Sequence, residues 1–311
     1  MSSSLQDEYI KKESLFGAQN YSPLSVVLEK GEGAYLWDVD GNKYLDMVSA
    51  YSAVSHGHSH PELLKTLHEQ SSKLSVTSRA FYTEPFSIFL EKLSKVSGFE
   101  SILTMNTGAE AVETAIKAAR RWGYFSKGIP EDKAEIIVAN GNFHGRTTTI
   151  VSFSSDASYK DGFGPFTPGF NSAEYCGSCD CQSIGSCLSI ESFEKKINKN
   201  TCAILVEPIQ GEAGIVVPDD GYIKGVRDLC DKYNVLMIAD EVQTGMGRTG
   251  RLLACDHEQV KPDILILGKA LSGGILPISA VLADSHVMDV ITPGTHGSTF
   301  GGNPLAAVVG N

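Results

Sequence analysis

Four short apolar runs recur in the part of the chain beyond about residue 85: AEIIVAN (134–140), TCAILVEPI (201–209), VLMIADEV (235–242) and DILILG (263–268). None of them alternates with polar residues, which is how strands covered on both faces read. Helical patterns fall between such runs, over 109–122 with Val112, Ile116 and Ala119 on one face, and over 221–233, where Asp219 or Asp220 offers an N-cap. This alternation predicts an α/β fold with a mostly parallel central sheet flanked by helices. Ahead of it, SVVLEKGEGAYLWDVDGNKYLDM (25–47) holds two β-like runs around E-G and D-G turns, the pattern of an antiparallel meander. The first twenty residues are polar and read as a loose or helical arm. The final GGNPLAAVVGN opens a helical pattern at Asn303-Pro304 that the chain does not complete, so a fragment of a longer protein is expected.

Composition narrows the function classes. The 311 residues carry a formal net charge of -11, which argues against a nucleic-acid partner because phosphate binding needs a basic surface. No stretch approaches 18 uninterrupted apolar residues, so no transmembrane helix and no membrane partner are expected. The N-terminal MSSSLQDEYIKKESLFG lacks an apolar core and carries Asp7, Glu8 and Glu13, which points to the cytoplasm. Of seven cysteines, Cys202, Cys230 and Cys255 lie in apolar context, as suits a reducing compartment.

In open α/β sheets ligands sit at the carboxyl ends of strands. Lys269 directly follows DILILG. Desolvation there lowers a lysine's pKa and makes it a nucleophilic amine. Asp240 ends VLMIA, where a carboxylate can pair with the pyridinium nitrogen of a pyridoxal-phosphate cofactor, and Gln243 follows. Each has an ordinary reading as well: Lys269 as a helix-terminal lysine reaching solvent, Asp240 as an N-cap. In MNTGAEAVETAIKAARRWG, Gly108 opens a helix whose first-turn amides form a phosphate site. Ser298 and Thr299 of HGSTFGGNP offer hydroxyls to the same phosphate. Phe143 and His144 in GNFHGRT are candidates to stack on a planar ring, and Arg146 is a candidate carboxylate clamp.

These stretches, NTGAEAVETAIKAAR, IADEVQTGMGRTG, ILGKALSGG and GSTFGGNP, resemble the fold-type I, class III pyridoxal-phosphate aminotransferases, from about Tyr21 to Asn311. YSPLSVVLEKGEGAYLWDVDG, SAYSAVSHGHSHP, SRAFY, YKDGFGPFTPGF and EPIQGEAGIVVPDDGY resemble the ornithine aminotransferase branch. The resemblance implies pyridoxal 5'-phosphate as cofactor and a homodimer with shared active sites. It assigns residues 1–50 to an arm and meander belonging to a small domain, and 51–311 to the large cofactor-binding domain, with the C-terminal small domain missing. Lys269 matches the lysine that carries the cofactor, Asp240 the partner of the ring nitrogen and Gln243 a donor to the ring hydroxyl. Gly108 and Ala109 match the phosphate-binding backbone, Thr299 a phosphate ligand given by the neighbouring subunit, and Phe143 the stacking ring. Tyr21 and Arg146 match the groups holding the ornithine α-amino and α-carboxylate ends, and Tyr51 a substrate-channel tyrosine. Glu212 matches a gating glutamate whose arginine partner has no counterpart in this sequence.

The implied reaction moves the terminal amine of ornithine to 2-oxoglutarate, leaving glutamate 5-semialdehyde and glutamate, with Lys269 shuttling the proton. Two departures bear on this. His144 stands where the ornithine branch has tryptophan, which admits an acetylornithine- or 4-aminobutyrate-type activity. The stretch CGSCDCQSIGSC is an insertion, whose Cys176, Cys179, Cys181 and Cys187 read as an inert loop, a redox switch or docking site for a thiol partner, or a metal site. An inactive cofactor-binding protein acting through that loop is the reading from another class. His56, His58 and His60 in HGHSH lack a fourth ligand nearby, and structural hydrogen bonding is expected of them rather than zinc.

Overall fold

The structure, a computed structural model, describes residues 5–176 and 188–311. Cys179, Cys181 and Cys187 lie outside the described residues. The arm is a helix, Leu5–Phe16, with no buried residue. The meander is a three-stranded antiparallel sheet of β1 (Leu28–Glu32), β2 (Tyr35–Asp38) and β3 (Lys43–Leu45). It is knotted by Asp38, whose carboxylate accepts from Asn42, from the Tyr44 hydroxyl at 2.7 Å and from Gln6 of the arm. These bonds, led by the Asn42 side chain, hold the Asp38 carboxyl down at about 2.

The central sheet has seven strands: β4 (Ser101–Met105), β5 (Glu135–Ala139), β6 (Phe170–Ala173), β7 (Thr201–Val206), β8 (Leu236–Asp240), β9 (Ile264–Leu267) and β10 (Ser279–Ala283). Their order is β4-β10-β9-β8-β7-β5-β6, parallel except for β10, which runs antiparallel to both its neighbours. The α/β expectation therefore holds, and the four apolar runs are β5, β7, β8 and β9. Every residue of β7, β8 and β9 is buried because helices cover both faces of the sheet. Each Ile, Leu or Val so buried contributes about 1.5–3 kcal/mol.

The helix Gly108–Phe125 starts on a capping box, in which Thr107 and Glu110 bond each other's backbone amides. Its buried Ala111, Ala115, Ala118 and Ala119 let it lie close on the sheet. The helix Tyr222–Tyr233 starts differently from the sequence reading: its N-cap is Gly221 in the left-handed region, with no side-chain cap from Asp219 or Asp220. In HGHSH, His58 Nε2 bonds Asp46 at 2.7 Å and the rings of His56 and His60 meet edge to face. That is a structural arrangement, and among the described residues no cluster of three metal-ligating side chains occurs.

Candidate active site

The carboxyl ends of β5, β7, β8 and β9 open on one cavity of about 190 Å³. Lys269 enters it directly after β9. Its φ of 38° is left-handed for a non-glycine residue, a strain that the surrounding structure must hold. Burial lowers its pKa below the ordinary lysine value, although the charges of Glu212, Asp240 and Glu207 pull the other way. The neutral amine, the nucleophilic form, is thus favoured more than on an exposed lysine.

Asp240 closes β8 and is buried. One carboxylate oxygen accepts the Val242 amide at 3.0 Å, and the other accepts His144 Nδ1 at 2.6 Å. His144 is itself fully buried at the side chain. Burial works against its charged form, but the bond to Asp240, its charge and that of Glu207 raise the imidazole pKa above its usual value. His144 thus bonds Asp240 through Nδ1 while it lines the cavity beside Phe143. Phe143 lines the same cavity, with Tyr159 against its edge at 6.1 Å.

Gly108 and Ala109 also line the cavity, as the first turn of their helix, whose amides have no intrahelical partner. A Cβ on Gly108 would lie 3.0 Å from Val242 Cγ1, so the glycine keeps that wall open. Gly145, with φ 120°, brings the Phe143–His144 turn to within contact of Ala109, where a Cβ would meet Ala109 Cβ at 2.9 Å. Gln243 lines the cavity and donates to Glu212 at 3.3 Å. Gly211 is tied to it, since a Cβ there would fall 1.4 Å from Gln243 Oε1.

The family model for class-III aminotransferases matches residues 16–311. The chain belongs to the class III aminotransferases. It is 55% identical over 308 residues to ornithine aminotransferase 2 of Staphylococcus saprophyticus, covering 99% of this chain and 75% of that protein. Among solved structures it superposes on the ornithine aminotransferase of Toxoplasma gondii with TM-score 0.92 at 45% identity, covering 99% of this chain and 70% of that one. The acetylornithine aminotransferase of Elizabethkingia anophelis is similar too, with TM-score 0.84 and 50% identity over 99% of this chain and 72% of that one.

The class III enzyme is a transaminase dependent on pyridoxal 5'-phosphate. The cavity's donor set fits that group. A half-buried amine of lowered pKa, a buried carboxylate, an aromatic ring and unpaired first-turn amides line one cavity, and Gly108 leaves the room that a Cβ would fill.

The other sequence candidates sit outside the cavity lining. Ser298 Oγ accepts from Asn106 Nδ2 at 3.1 Å and from the Gly301 amide at 3.0 Å, beside the start of the phosphate helix. Thr299 faces a separate depression with Val76–Arg79. Arg146 is exposed, its guanidinium 4.2 Å from the centre of the Tyr159 ring that also abuts Phe143. Glu212 is exposed at the turn beside Gln243. Tyr21 and Tyr51 are 72% and 61% exposed and border other surfaces. Cys176 is buried, with its thiol 3.6 Å from Asp219. Sequence reasoning passed over Glu207 and Val242 as site residues. The signal for Glu207 was available: it directly follows an apolar strand, as Asp240 does.

Proposed function

We propose that the chain is an ornithine δ-aminotransferase, transferring the terminal amine of L-ornithine to 2-oxoglutarate to give glutamate 5-semialdehyde and glutamate. The observation that carries this reading is the 55% identity to a bacterial ornithine aminotransferase over 99% of the chain. The second reading, an acetylornithine-type activity, is favoured by His144 and by the 50% identity to such an enzyme.

Lys269 would hold the cofactor covalently, Asp240 its ring nitrogen, the Gly108 and Ala109 amides its phosphate, Gln243 its ring hydroxyl and Phe143 its ring face. When bound, pyridoxal phosphate supplies an electron sink for the electrons left as the amine-bearing carbon loses its proton. The remaining chemistry belongs to the chain. Lys269 Nζ, its pKa lowered by burial, takes that proton and returns it. His144 holds Asp240 in place and spreads its negative charge. Arg146 and Tyr21 would hold the far end of the substrate, Tyr51 its channel and Glu212 the entrance, so that the terminal amine rather than the α-amine reaches the reacting carbon.

The same reading makes the protein a homodimer, in which Thr299 and Ser298 complete the neighbour's phosphate site. Large exposed apolar side chains support it: Leu24, Met47, Tyr82 and Phe300 are 86%, 83%, 95% and 57% exposed in the single chain. A reducing, cytoplasmic setting is supported by the buried, unbridged thiols of Cys202, Cys230 and Cys255. A thiol-redox partner at the Cys176–Cys187 stretch rests on its C-x2-C spacing. It requires free-thiol count and activity to move together under oxidant.

Turnover of the purified chain with L-ornithine against N-acetylornithine, at saturating 2-oxoglutarate, tests the main reading. Pyrroline-5-carboxylate, the cyclised product, appears only with ornithine. A preference for N-acetylornithine replaces this reading with the second.

A further inference from the structure

We propose that Glu207 is a positioning residue of this site: its buried carboxylate ties the ring-bearing turn after β5 to the Gly211–Glu212 turn, and stands as a third polar group beside the Asp240–His144 pair. The proposal rests on the cofactor reading above. It starts from strand order. β7 lies between β5 and β8, and Val206 pairs with Ala239, so Glu207 stands beside Asp240 at the strand ends. The His144–Asp240 bond links residues from the two strands that flank β7.

Glu207 is 6% exposed, and its carboxylate has specific partners. Oε2 accepts the Phe143 amide at 3.0 Å, and the Gly211 amide donates to the same group. Phe143 is the stacking candidate and precedes His144. Gly211 precedes Glu212 and packs against Gln243. One carboxylate thereby joins the Phe143 turn, which lines the cavity, to the Gly211 turn that packs on Gln243.

Its charged surroundings are His144 and Asp240 on either side and Lys269 after β9, with the Tyr175 hydroxyl donating to the Glu207 carbonyl oxygen at 3.0 Å. Two carboxylates and one imidazole thus share a buried site. Burial pushes Glu207 up to about 7, with the charge of His144 lowering it and that of Asp240 raising it. Ionised Glu207 favours the imidazolium form of His144, which donates to Asp240 at 2.6 Å.

The test uses the full-length chain and two substitutions. Glu207→Gln keeps the shape and removes the charge. Glu207→Asp keeps the charge and shortens the reach to the Phe143 amide. The first readout is the His144 imidazole pKa by NMR in cofactor-free protein, expected to fall by at least about half a unit in Glu207→Gln. The second is the pyridoxal-phosphate dissociation constant from pH 5.5 to 8.5 by protein fluorescence. In the wild type it should inflect near the Glu207 pKa. Glu207→Gln should lose the inflection, and Glu207→Asp should keep it while binding about tenfold more weakly, the loss of one hydrogen bond to a charged group. An unchanged His144 pKa with unchanged binding in Glu207→Gln overturns the proposal. If Glu207→Gln does not fold, a wild-type binding curve flat across that pH range overturns it. A wild type that binds no cofactor sinks the functional reading instead, and the imidazole pKa still decides the role of Glu207.

Discussion

Replacing Asp240 by alanine isolates the energetics of the buried pair. The substitution removes the acceptor of His144 Nδ1 at 2.6 Å and of the Val242 amide at 3.0 Å, where the His144 side chain is fully buried. Breaking a buried pair by deleting one partner costs about 3–5 kcal/mol, because the other is left unmatched. At roughly 2 °C per kcal/mol for a chain of this size, the melting temperature should fall by about 6–10 °C. Asp240→Asn, which keeps an acceptor but loses the charge, should lose about 1–2 kcal/mol, the difference between a charge-assisted and a neutral hydrogen bond.

Calorimetry on cofactor-free protein separates this effect from loss of cofactor. The pH sign follows from His144, whose pKa is raised in the fold. The pair's contribution is fully present below the ordinary histidine value of about 6.5 and fades as pH rises through the raised one. The alanine deficit should therefore be larger near pH 6 than near pH 9. A cofactor-free Asp240→Ala protein melting within about 2 °C of wild type, or with a deficit that grows with pH, refutes the reasoning.

Four further outcomes are expected. Lys269→Ala should abolish the visible absorbance of lysine-bound cofactor and lower turnover by at least about 10²–10⁴-fold. In the wild type the rate of cofactor attachment should rise with pH through a lysine pKa below the ordinary value, because the neutral amine reacts and burial favours it. Gly211→Ala places a Cβ 1.4 Å from Gln243 Oε1, so Gln243 must move; equilibrium dialysis should show weaker pyridoxal-phosphate binding with little loss of secondary structure by circular dichroism. Gly145→Ala combines φ 120° with a 2.9 Å approach to Ala109 Cβ, and should cost about 1–3 kcal/mol in urea unfolding while distorting the phosphate wall.

Lys269 and Asp240 were legible because each follows an unbroken apolar run, where a charged residue must be either paired or functional. The phosphate turn at Gly108 was legible from its glycine and the helix behind it. Tyr21 and Tyr51 entered through resemblance alone, and in the single chain they, like Arg146 and Thr299, border surfaces other than the cavity. The second helix cap shows the limit of local rules: Asp219 and Asp220 have the right chemistry, yet the left-handed Gly221 takes the position.

By itself the sequence determined the element types, the α/β class and the strand-end positions from which the chemistry had to come, because period and burial are written in nearest neighbours. Only the tertiary structure decided which strand ends adjoin. His144 and Asp240 are 96 residues apart, and their meeting depends on β5, β7 and β8 lying in that order, a choice made by packing across the whole sheet. For the same reason the partners of Glu207 became visible only in three dimensions. Its position beside Asp240, and the desolvation that lifts its pKa, both come from strands and helices far from it in the chain.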